Sequence, residues 1–138
     1  MTGTNDDYAA GARHTTIDVH ADPDPLYVLE LAEALPEIVR ALNHQTMHHE
    51  AIEDTGQARE VLGHVMTALE RLPQLADQIG TWLTAEQERG GIRIPDRVLA
   101  ACRYDLKNAG ERSEAGALSL GRARSLLAEM DAAGEGAP

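Results

Sequence analysis

From residue 58 to 83 the apolar side chains step by fours and threes without a break: Ala58, Leu62, Val65, Leu69, Leu72, Ala76, Ile79 and Leu83. A second run keeps the same rhythm for longer, through Leu99, Cys102, Leu106, Ala109, Ser113, Gly116, Leu120, Ala123, Leu127 and Met130. A repeat of 3.5 residues draws one stripe along an α-helix, whereas a half-buried strand needs a period of two. The spacing therefore predicts two long helices, 56–89 and 96–131, packed at a shallow angle. Between them lies ERGGIRIPD, where Gly90-Gly91 ends the first helix and Pro95 opens the second.

A third helix is predicted ahead of these, at 25–53. Asp24-Pro25 pairs a capping carboxylate with a proline at the first helical position, and Leu26, Leu29, Ala32, Leu35, Ile38, Val39 and Leu42 follow at helical spacing. Pro36 and Pro73 fall inside helices. The residues before them, Leu35 and Leu72, are poor caps, so kinks are expected rather than new starts. The composition agrees with helix on helix: 43% of the residues are hydrophobic, but phenylalanine is absent and there is one tryptophan. The expected fold is all-α, an elongated three-helix up-down-up bundle with long kinked helices. A break near 110, at Asn108-Ala109-Gly110, would make four. The small residues Ala109, Ser113 and Gly116 invite close approach by a neighbour, and Trp82 is the natural filler.

Residues 1–22 are polar and aperiodic, which predicts disorder, or a short strand over 15–20 that a second copy would have to complete. The helical domain is expected at 23–131, with a flexible tail at 132–138. Residues 1–60 carry 12 acidic residues against Arg13, Arg40 and Arg59, a balance of −9 within a total of −11. Such charge repels phosphate backbones, so no direct nucleic-acid binding is expected. A small basic island, Arg89, Arg93, Arg97, Arg103 and Lys107, is diluted by Asp96 and Asp105. Its sharper reading is a contact for an acidic partner; its simpler reading is solvated helix ends.

Cys102 is the only cysteine, which excludes an intrachain disulfide and fits a reducing compartment. It falls on the core stripe, where cysteine behaves as a small hydrophobe. No segment reads as a signal peptide or a membrane span, so a cytoplasmic location is expected.

The stretch NHQTMHHE, 43–50, is the densest in reactive groups. His44 and His48 are one helical turn apart, as are Glu60 and His64. A chain reversal about Asp54-Thr55-Gly56 would set His44 opposite His64 and His48 opposite Glu60, a ligand set suited to zinc or iron in a bundle. Only Met47, Ala51, Ile52 and Ala58 are apolar across 43–60, so a solvated hinge is the leading reading, and no metal or other cofactor is assigned. His14 and His20 carry no specific role. No catalytic constellation stands out.

Three functions follow as expectations. The first is a non-catalytic helical interaction module, an adaptor or regulator that binds a protein partner, basic if the acidic half is the contact, and that forms a homodimer. The second is a metal-binding bundle using His44, His48, Glu60 and His64. The third is an acidic decoy for a basic nucleic-acid-binding protein.

Overall fold

The computed structural model describes residues 17–135. The fold is all-α, with three long helices and no strand among the described residues: α1, Pro25–Thr46; α2, Thr55–Arg89; and α3, Asp96–Glu135. A single 3₁₀ turn, His49–Ala51, lies between α1 and α2. The chain divides into two units, one ending at Met47 and the other beginning at His48.

In the first unit, Asp24 is the N-cap in extended conformation, and its side chain accepts from the Leu26 N–H with Pro25 at the first helical position. Ahead of it the chain turns. Asp18 Oδ1 accepts from the His20 N–H at 2.9 Å, and the Asp18 N–H donates to Tyr27 Oη at 3.1 Å. Residues 17–20, the described part of the 15–20 stretch, carry this turn in the single chain; residues 1–16 lie outside the described residues. α1 runs unbroken through Pro36 and stops at Thr46, short of the expected 53. Thr46 Oγ1 bonds back to the Leu42 and Asn43 carbonyls at 2.9 and 3.3 Å, and His48 is extended. Asn43, His44 and Thr46 are weak helix formers, and this end has no apolar stripe to hold it.

In the second unit, α2 and α3 form an antiparallel pair. Thr55 Oγ1 donates to Asp131 Oδ1 at one end, Ser113 Oγ to the Leu69 carbonyl in the middle, and Arg103 Nη1 to Thr84 Oγ1 towards the loop. Asp54 caps α2 by accepting from the Gln57 N–H at 2.8 Å, while Gln57 reaches back to the Glu53 N–H. At the other end Gly90 takes φ 76°, a left-handed conformation that favours glycine, and the Gly91 N–H closes on the Glu86 carbonyl. The Gln87 amide then clamps the loop, donating to the Ile94 carbonyl and accepting from its N–H. α3 passes residue 110 without a break and continues to Glu135, so residues 132–135 are helical where a loose tail was expected.

Pro73 explains the middle of the pair. A proline at this position cannot donate to the carbonyl four residues earlier, which is that of Leu69. The Ser113 hydroxyl supplies the missing donor from α3, at 2.7 Å. One turn before Ser113, Gly110 faces the proline ring: a Cβ on Gly110 would stand 3.2 Å from Pro73 Cα. The small-residue stretch of α3 thus receives the backbone of α2 at Pro73 and, at Gly116, the side chain of Leu69. It does not receive Trp82, which is 55% exposed.

This arrangement is testable by a double-mutant cycle. Ser113→Ala leaves the Leu69 carbonyl without its donor and is expected to cost about 1–2 kcal/mol in urea unfolding. In a Pro73→Ala background the helix regains its own bond, and the same change should cost less than half as much. Equal costs in both backgrounds would remove the link between serine and proline. Alongside, Gly110→Ala is expected to destabilise the pair, whereas Gly80→Ala, whose Cβ would meet Leu106 at an ordinary 3.6 Å, should stabilise it by roughly 0.5–1 kcal/mol.

Candidate interaction surface

The histidine cluster is spread along the chain. His44 lies in the last turn of α1, in the first unit. His48 precedes the 3₁₀ turn, and Glu60 and His64 sit one turn apart on α2 as exposed side chains. Among the described residues, no three His, Cys, Asp or Glu side chains are grouped so as to hold a metal ion. Cys102 is half-buried on α3 and makes no disulfide. His20 is exposed near the start of the described chain, and His14 lies outside it.

The basic island is partly committed internally. Arg89 pairs with Glu86, Arg103 donates to Thr84, and Lys107 stands 4.0 Å from Glu111. Arg93 and Arg97 are exposed. Both ion pairs join residues three or four apart on one helix near the surface, where such pairs contribute little.

A polar knot not read from the sequence closes the far end of the hairpin. Asp131 takes a hydrogen bond from Thr55 at 2.7 Å and an ion pair from Arg59 at 3.1 Å. Arg124 Nε donates to the Arg59 carbonyl at 3.0 Å. Gly63 makes room for this, since a Cβ there would lie 3.0 Å from the Arg124 guanidinium carbon. The partners are 65 and 76 residues apart, and only the pairing of two helices in register brings them together.

Large apolar side chains show the most distinctive arrangement. Among the described residues only Gly80, Gly110 and Ala117 are buried, and every one is small. On α1 no residue is buried, and Tyr27 alone is half-buried. Its apolar face is Val28, Leu31, Leu35, Ile38, Val39 and Leu42, exposed by between 37% and 62%. Val28, Leu31, Leu35, Ile38 and Leu42 alternate threes and fours, the spacing of a helix-packing seam. Leu26 and Leu29, expected at the head of the stripe, stand away from this seam on an α-helix. Ala32, Ala34 and Ala41 flank the seam, and Glu30, Glu33 and Glu37 occupy the opposite side of the helix. Six aliphatic side chains about half in water represent on the order of 6 kcal/mol of burial not yet realised.

Comparison with known proteins gives no matching family model, no similar curated protein and no similar solved structure. No helix among the described residues is long and apolar enough to cross a membrane.

Metal uptake gives a direct check on the histidines. Protein equilibrated with one equivalent of zinc and then desalted is expected to retain none by elemental analysis. One retained equivalent that disappears in His48→Ala would give the cluster a metal-binding role.

Proposed function

We propose that this chain is a non-catalytic helical interaction module, an adaptor or regulator that self-associates as a homodimer and docks a protein partner through α1. The observation that carries this reading is the seam of α1: apolar, wide, spaced for helix packing, and exposed along its whole length. Exposed apolar patches of this kind mark binding surfaces. A 22-residue helix containing a proline is marginal in water, so burial of this face is what would hold it.

The partner's chemistry follows from both sides of the helix. An amphipathic segment with its own aliphatic ridge would fill the seam, in the helix-in-groove manner. The acidic N-terminal half, Glu30, Glu33 and Glu37 included, would attract a partner carrying basic residues from a distance, steering association at low salt without touching the bound segment.

Site-specific photo-crosslinking in the native cell tests the reading. A crosslinking residue in place of Leu35 is expected to trap one defined protein with a basic binding segment, and the same residue in place of Glu33 to trap little. Ile38→Glu should weaken capture by about 30-fold, which corresponds to about 2 kcal/mol. Adducts from Glu33 as abundant as those from Leu35, or none from either, would contradict it.

A further inference from the structure

We draw no further inference here: the strongest candidate, the shallow apolar groove of the α2–α3 hairpin walled by Leu72, Leu75, Ile79 and Leu106, is an unpartnered face, and nothing in the structure shows what covers it.

Discussion

The carbonyl of Leu69 fixes how α2 and α3 lie together. Pro73 leaves it without a donor inside its own helix, and Ser113 provides one from across the interface at 2.7 Å. For that hydroxyl to reach a main-chain oxygen, the helices must approach closely, and Gly110 against Pro73 lets them. The register then follows outward in both directions, to Arg103 on Thr84 and to Arg124 on the Arg59 carbonyl. A proline that would weaken an isolated helix by about 3 kcal/mol is thereby turned into a positional lock.

Close approach has a consequence for the rest of the hairpin. Where backbones nearly touch, the buried positions can hold only small side chains, and here they hold two glycines and an alanine. Large aliphatic side chains are pushed to the margins of the strip, half in water. Hydrophobic stabilisation scales with the area removed from water, so a pair packed this way gains less from its leucines than their number suggests. The half-exposed Leu75, Ile79 and Trp82 of the hairpin are products of that shortfall.

Much of the architecture was legible because it is written in local chemistry. The four-three spacing from Ala58 to Leu83 and from Leu99 to Met130 sufficed for two long helices, since one stripe of that period has no strand equivalent. Asp24-Pro25, Asp54 and Gly90-Gly91 placed three of the helix ends to within a residue or so. Continuity through Pro36 was legible from the poor cap Leu35 before it, and continuity through Pro73 and Gly110 from unbroken stripe phase. What the sequence concealed was pairwise. Nothing in a linear reading couples Ser113 to Pro73, or Thr55 to Asp131, because each bond depends on the register of two helices. The end of α1 was overestimated because 47–53 resembles a helix by pattern of exclusion, with no glycine or proline to stop it. Trp82 was expected to fill the small-residue stretch because size complementarity is visible in sequence while direction is not. Its ring faces water, and the gap is closed by the partner helix's own backbone. Of the interaction surface, the seam was in plain view as Val28, Leu31, Leu35, Ile38 and Leu42, yet Leu26 and Leu29 drew the stripe off its true phase.

The α2–α3 hairpin is held by its own contacts, and on the proposed reading α1 is ordered by what it binds. Hydrogen exchange read residue by residue on the free chain tests this most directly, because protection reports local opening free energy. The account predicts the slowest exchange around Leu69 to Leu83 and Leu99 to Leu120, with α1 amides exchanging orders of magnitude faster. Amides of Leu35 to Leu42 as protected as those around Leu69, in protein with no partner bound, would contradict it.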